Sequence, residues 1–257
     1  MSGLNSQQAG QGPVFIMLHG LFGSLDNFRS VSLHLERSLT VLRMDLPGHG
    51  LSPSLPTLSI EAMADAVLAE IDQLGIKEFH LLGHSLGGKV AMSVAGNPSC
   101  QGLQSLCVVD IAPRQYKPHH QPIIDALQAL DLQQITDRRD ADLQLRNAIP
   151  DAGVRAFLLK SLYRHDSGHF DWRFDLQQLA TDYPLICRPP IVNRTIEPPT
   201  LFIKGGDSDY LGADDETGIK AVCAHPSLKI IVGAGHWPHA EKPAQFTRIC
   251  QEFLSHV

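Results

Sequence analysis

The stretch Phe79-His80-Leu81-Leu82-Gly83-His84-Ser85-Leu86-Gly87-Gly88-Lys89-Val90-Ala91 decides how the rest of the chain is read. It opens as an apolar run of strand character, crosses Gly-His-Ser-Leu-Gly, and continues with Leu86, Val90 and Val94 at helical spacing. A G-x-S-x-G alone is weak, because glycine near 7% of residues produces it by chance in about one protein in ten. Between a strand and a helix it carries a mechanical meaning. A turn that sharp holds the serine in a strained conformation with its hydroxyl off the end of the sheet. Gly83 and Gly87 fit there because a Cβ at either position would strike the neighbouring helix or strand. The helix after Ser85 directs its free N–H groups at any negative charge forming near the serine.

Composition narrows the setting. The chain has 257 residues, enough for one large domain or a core with an inserted subdomain. Hydrophobic residues make up 43% and charged residues 19%, the balance of a globular protein. A net charge of −6 argues against nucleic acid or an anionic membrane surface as main partner. Met1–Gly12 lacks the basic and apolar regions of a secretion signal, and no apolar run approaches the ~20 residues of a membrane span. The five cysteines are scattered without a C-x-x-C, which fits reduced thiols. A cytoplasmic location is therefore expected. Whether the protein is a monomer or a homodimer is left open.

Working outward, strands and helices alternate. Pro13–Leu18 is apolar at every position, as in a strand buried on both faces, and runs into His19-Gly20-Leu21-Phe22-Gly23-Ser24. A short helix over Asn27–Glu36 precedes a strand at Thr40–Met44 and the turn-rich Asp45-Leu46-Pro47-Gly48-His49-Gly50-Leu51-Ser52. Ser59 caps a helix that Gly75 stops. After the serine helix, Gln104–Asp110 is the next strand. The alternation argues for a parallel, right-handed βαβ sheet. Residues 114–195 break the rhythm with helical patterns around Pro122–Leu132, Asp140–Asn147, Val154–Leu162 and Leu176–Tyr183, and with a polar aromatic loop over Tyr163–Trp172. They read as a helical cap inserted over the sheet, dividing a core of 1–113 and 196–257. Alternation resumes with strands at Thr200–Lys204 and Leu228–Val232, and the chain ends in a helix over Pro243–Leu254.

Four motifs in order carry a resemblance over essentially the whole length: His19-Gly20 after a strand, Asp45-x-Pro-Gly-His-Gly-x-Ser52, Gly83-x-Ser-x-Gly87, and Gly235-His236 before the last helix. The chain resembles the α/β-hydrolases. A narrower likeness, to small bacterial carboxylesterases and acyl-CoA thioesterases, rests on His19–Asn27, Asp110-Ile-Ala-Pro113, Trp172-Arg-Phe174 and Ala234–Pro243. Members usually have an antiparallel hairpin before the first apolar strand. Met1–Gly12 is short and poor in strand formers, so six strands plus a reduced edge are expected.

The resemblance implies an α/β fold with a mostly parallel sheet, and cleavage of a small-molecule ester or thioester through an acyl-enzyme, with short to medium acyl chains and acyl-CoA among the candidates. The alternatives are hydrolysis of another bond (lactone, amide or C–C) by the same groups, or a low-turnover ligand receptor on a hydrolase scaffold. Ser85 is the nucleophile, and a serine hydroxyl needs a base to take its proton. Of 13 histidines, His236 has the right chain order, after the serine and both candidate acids. Two carboxylates compete to hold that ring. Asp207 follows the Leu201–Lys204 strand, the commonest position of the acid in the fold. Asp110 ends the strand after the serine helix, and the narrower likeness favours it. Asp209 is a more remote candidate, and Asp45 belongs to its own loop. The Leu86 and Leu21 amides are expected to hold the oxyanion. Phe22 is a candidate lining of the acyl pocket and Trp237 of the substrate pocket. His84, His19 and His239 are expected to brace loops near the site.

Rival chemistries have little in the chain to carry them. A carboxylate nucleophile would have to stand where Ser85 stands. No H-E-x-x-H, C-x-x-C, P-loop or strand-borne GxGxxG is present, so neither a metal nor a nucleotide cofactor is implied. Arg164, His165, His169 and Arg173 form a basic group able to meet an anion such as a CoA phosphate, or simply a solvated charged face.

Overall fold

The structure is a computed structural model and describes residues 3–257. Of the Met1–Gly12 stretch, Met1 and Ser2 lie outside the described residues. A short edge strand, β1 (Ser6–Ala9), is followed by β2 (Val14–Leu18), α1 (Arg29–Leu35), β3 (Thr40–Met44), α2 (Ile60–Gln73), β4 (Phe79–His84), α3 (Leu86–Ala95) and β5 (Leu103–Val109). Residues 114–195 add no strand to this sheet. They hold α4 (Gln121–Ala129), α5 (Arg138–Leu145), α6 (Ala152–Leu159), a separate ribbon of β6 (Leu162–Arg164) and β7 (Phe170–Trp172), and α7 (Leu176–Ile186). Then come β8 (Thr200–Gly205), α8 (Glu216–Val222), β9 (Pro226–Ile231), α9 (Pro238–Glu241) and α10 (Pro243–Leu254).

The seven strands lie in the order β1-β3-β2-β4-β5-β8-β9, all parallel except β1, which pairs antiparallel with β3. The reduced edge expected from the sequence is that one four-residue strand, with Ser6 opposite Met44. The chain runs outward from β2 to β3 and returns past β2 to β4. The loops leaving β2 and β4 therefore part on opposite sides, and in open parallel sheets ligands bind at the strand ends where that reversal occurs.

Alternate residues feed two cores. Ile16, Leu18, Leu42, Leu81, Leu106 and Val108 face one side, with Met63, Val67 and Val90 from α2 and α3. Phe15, Met17, Val41, Leu82, Val109 and Ile203 face the other, with Val31, Leu35, Phe246 and Ile249 from α1 and α10. Ser59 Oγ accepts from Ala62 N–H at 3.1 Å to start α2, and Gly75 takes the positive φ that ends it.

The helices of residues 114–195 begin where aspartates cap them. Asp137, Asp151 and Asp175 accept from the amides of Asp140, Val154 and Gln178. For α5 and α6 this places the start earlier than apolar spacing suggests. Tyr163–Trp172 is not a loop throughout: Leu162 pairs with Trp172 and Arg164 with Phe170. Each strand is three residues long, too short for alternation to stand out of a polar composition, and burial of Leu162, Phe170 and Trp172 holds it. The ribbon is tied to the core through Ser161 Oγ, which donates to the Phe22 carbonyl at 2.9 Å, and through Asp175 N–H, which donates to the Gly48 carbonyl at 2.8 Å. Among the described residues no helix is long and apolar enough to cross a membrane.

Phe15, fully buried on β2, tests the core under the site. Phe15→Ala is expected to lower unfolding free energy by about 3–5 kcal/mol in urea titration, through lost transfer energy and the cavity left behind.

Candidate active site

Ser85 joins β4 to α3 with no loop residues between them. Its φ is 53° and its ψ −115°, the strained turn expected from the sequence. Only crowding on all sides holds a non-glycine residue there. A Cβ on Gly83 would come within 2.0 Å of the Gly87 carbonyl oxygen, and one on Gly87 within 2.4 Å of the Leu18 carbonyl oxygen. Among the described residues, Phe22, Ser85 and Asp110 are the non-glycine positions with positive φ. They follow β2, β4 and β5, three neighbouring strands.

The structure brings Ser85, His236 and Asp110 together. Ser85 Oγ donates to His236 Nε2 at 3.0 Å, and His236 Nδ1 donates to Asp110 Oδ2 at 2.7 Å. Asp110 has no solvent exposure. Its other bonds come from Gly205 N–H at 3.0 Å and from Ser208 Oγ. Four lone-pair sites on a buried carboxylate need such donors to avoid a desolvation penalty. Asp207 is exposed; its backbone N–H donates to the Ala234 carbonyl at 2.9 Å, and its side chain does not touch His236. Asp45 accepts from the amides of Leu25 and Leu51, bracing its own loop.

The ring of His236 is held from three directions. Asp110 fixes its tautomer. His84 Nε2 donates to the His236 backbone carbonyl at 2.7 Å. Tyr210 stacks on it with centroids 3.7 Å apart and planes 19° off parallel. Leu86 is the first residue of α3, so its N–H has no carbonyl inside the helix to meet. Among the described residues neither the Leu86 nor the Leu21 N–H donates to a protein acceptor. Both residues line the space beside Ser85.

Four buried histidines and the half-buried His120 surround this assembly in neutral form. Burial pulls His19 down to about 4, His49 and His239 to about 3, His120 to about 3, and His84 well below its ordinary value. His19 Nδ1–H donates to the Gly20 carbonyl while Nε2 accepts from Leu46 N–H. His239 packs against Phe28 and His84 instead of hydrogen-bonding a loop, and its Nδ1 has no partner. His120 belongs to a directed chain. Tyr183 hydroxyl donates to His120 Nδ1 at 2.8 Å, His120 Nε2–H donates to the Tyr210 hydroxyl at 3.1 Å, and that hydroxyl donates to His119 Nε2.

Two lobes of empty space meet at Ser85. One of about 250 Å³ is lined by Phe22, His236 and Trp237 from the core and by Ile123, Val154 and Phe157 from 114–195. The other, about 40 Å³, is lined by Leu86, Lys89, Ile111, Tyr183 and Ile186. Leu21, Ser85, His119, His120 and Tyr210 line both. Phe22 and Trp237, singled out in the sequence, therefore face the larger lobe. A groove of about 830 Å³ between the Gly48–Ser54 loop and the ribbon is roomier, but it holds neither Ser85 nor His236. Arg173 lines that groove, and none of Arg164, His165, His169 and Arg173 lines either lobe beside Ser85. Among the described residues no three of His, Cys, Asp and Glu converge to hold a metal ion.

Four residues escaped the sequence reading. Ser208 lies in the Asp207-Ser208-Asp209 turn, which offered two carboxylates and drew attention to them. Tyr210, two residues on, has no pattern that foretells its stack on His236. Tyr183 lies in a helix of ordinary periodicity. Lys89 sits one turn after Ser85 on an otherwise apolar helix, and that misplaced charge was the available signal. Its ammonium donates to the carbonyls of Ile186, Cys187 and Arg188 at the end of α7, and burial pulls it down to about 8.

A model of the alpha/beta hydrolase family matches residues 15–249. The chain belongs to this family. It is 35% identical over 252 residues to the mouse (Mus musculus) sn-1-specific diacylglycerol lipase ABHD11, spanning 95% of this chain and 81% of that protein. It is 33% identical over 241 residues to the esterase YbfF of Escherichia coli (strain K12), spanning 93% and 92% respectively. Among solved structures, a marine microorganism esterase superposes with a TM-score of 0.94 at 32% identity, over 98% of this chain and 99% of that one. Relatives bearing esterase and lipase names thus span nearly the whole chain.

Two measurements test this geometry. Asp110→Asn is expected to cut turnover by about 10⁴, the loss seen when a triad carboxylate no longer holds the histidine tautomer, with Asp207→Asn close to the parent; collapse of Asp207→Asn alone would reverse the assignment. The buried histidines predict acid sensitivity. Below pH 6.5 the unfolded chain takes up protons that the folded histidines refuse, so stability is lost as pH falls, by up to about 1.4 kcal/mol per histidine per pH unit. Urea midpoints at pH 7.5 and 5.5 read this directly; equal midpoints would contradict the neutral cluster.

Proposed function

We propose that the protein hydrolyses carboxylic esters through an acyl-enzyme on Ser85. The observation that carries this reading is the unbroken hydrogen-bond chain from Ser85 through His236 to buried Asp110, opening on an apolar cavity. Names borne by the relatives agree with it.

The mechanism follows from the atoms. Ser85 Oγ attacks the ester carbonyl carbon as its proton passes to His236 Nε2. Asp110 stabilises the imidazolium from the other side of the ring without taking the proton. The carbonyl oxygen, now anionic, is received by the Leu86 and Leu21 amides, and donors of this kind are worth about 3–4 kcal/mol each in the transition state. His236 returns the proton to the leaving oxygen, the C–O bond breaks, and the alcohol departs. Water then attacks the acyl carbon with the same histidine as base, releasing the acid and Ser85. Residues 114–195 serve as a cap, since Ile123, Val154 and Phe157 roof the larger lobe. Thioesters form the same acyl-enzyme. The basic ribbon residues stand off the cavity, so no observation favours acyl-CoA among them.

Ser85→Ala is expected to lower kcat on p-nitrophenyl acetate by on the order of 10⁶, and a fluorophosphonate probe is expected to label the parent and not the variant. A variant as active as the parent, or a parent inert towards p-nitrophenyl esters of every chain length, would reject the proposal.

A further inference from the structure

The two lobes at Ser85 are unequal, and chemistry assigns each a different part of the substrate. The reacting carbon carries four groups in the tetrahedral state: Ser85 Oγ, the oxyanion, the leaving oxygen and the acyl substituent. The leaving oxygen must face His236 Nε2, which returns the proton to it. His236 and its neighbour Trp237 line the larger lobe and do not line the smaller. The oxyanion occupies the amides of Leu21 and Leu86. What remains for the acyl substituent is the smaller lobe, over the first turn of α3.

That lobe has about 40 Å³, and at the ~10–15 Å³ of free space one water-sized group requires, it seats on the order of three such groups. By the same measure the larger lobe, about 250 Å³, seats on the order of twenty. The small lobe's walls cannot easily give. Ile111 and Ile186 are nearly fully buried, and Lys89 ties the end of α7 to α3 through three carbonyls.

Its polar groups are already committed. Lys89 has three N–H donors and all three are used. The Tyr116 hydroxyl accepts from Ala112 N–H and donates to the Tyr210 carbonyl. The Tyr183 hydroxyl accepts from the His120 amide and donates to its ring. Among these three residues no N–H or O–H is left free to donate to a polar acyl terminus.

We infer that the preferred substrates are esters of a short acyl group, of acetyl to butyryl size, with a bulky apolar alcohol or phenol as leaving group. This rests on the acyl-enzyme reading above and deepens it. It also moves Phe22 from the acyl side, where the sequence put it, to the leaving-group side together with Trp237.

On the acyl side, steady-state kcat/KM for p-nitrophenyl acetate and butyrate is expected to exceed that for the hexanoate by at least about tenfold, since one methylene without room is worth ~10–200-fold, with octanoate lower still. Acetates of phenol and 2-naphthol test the other side, and the larger leaving group is expected to be accepted equally or better. Ile186→Ala enlarges the small lobe and should raise the hexanoate-to-butyrate ratio about tenfold. Ile111→Ala enlarges the same lobe from another element and serves if the first variant does not fold. Phe157→Ala, in the larger lobe, should change discrimination between the acetates while leaving the acyl ratio in place. Octanoate cleaved as fast as acetate by the parent, or an acyl ratio that follows Phe157 rather than Ile186 and Ile111, would overturn the inference while leaving the esterase reading intact. A parent that turns over no ester and leaves Ser85 unlabelled by the fluorophosphonate would overturn both.

Discussion

Backbone crowding at the β4–α3 junction is the constraint on which the rest of the structure depends. Gly83, Gly87 and Gly88 bring the start of α3 against β4, β2 and Ile111 so closely that any side chain would collide. Helix and sheet meet there without a loop. Ser85 is consequently pushed above the strand ends, and the first N–H of α3 is left without a partner among the described residues. Gly20 completes the approach from β2, since a Cβ on it would lie 3.3 Å from that of Ser85. One local close contact thus positions Ser85, one amide beside it and the loop bearing the other.

The elements resting on that junction differ in how openly the sequence announces them. The parallel core was legible because buried strands such as Val14–Leu18 are apolar throughout and end in glycine-rich turns. Ser85 and His236 were legible because both occupy short turns whose residues leave few alternatives. The choice between Asp110 and Asp207 was not settled by the residues alone, because β5 and β8 are neighbours and an aspartate follows each within two residues. What separates them is rotational. Asp110 turns inward at φ 50° to meet the ring, while Asp207 turns out to solvent. Periodicity carries no information about that rotation. The ribbon of β6 and β7 was hidden for a different reason, since three-residue strands hold too few alternations to show.

Contacts made across the chain were the least legible part. Tyr210 meets His236, Ser208 meets Asp110, and Lys89 meets the end of α7, each pairing residues distant in sequence. These contacts share a purpose that the individual residues do not display. They leave almost no polar atom near Ser85 uncommitted, and the neutral histidines beneath add polarity without adding charge. In the proposed reaction a developing oxyanion would meet the Leu86 and Leu21 amides in surroundings already fixed, where little reorganisation is needed.

The three positive-φ residues at the ends of β2, β4 and β5 set stability against function. Each holds a conformation that costs on the order of 1–3 kcal/mol, and the surrounding core offsets that cost. At Ser85 and Asp110 a glycine would relieve the strain and remove the side chain bonded to His236 in a single step. Selection for robustness alone would therefore erode these positions first. In laboratory evolution, a screen that rewards only heat resistance would tend to return folded, inert proteins altered at the strand ends.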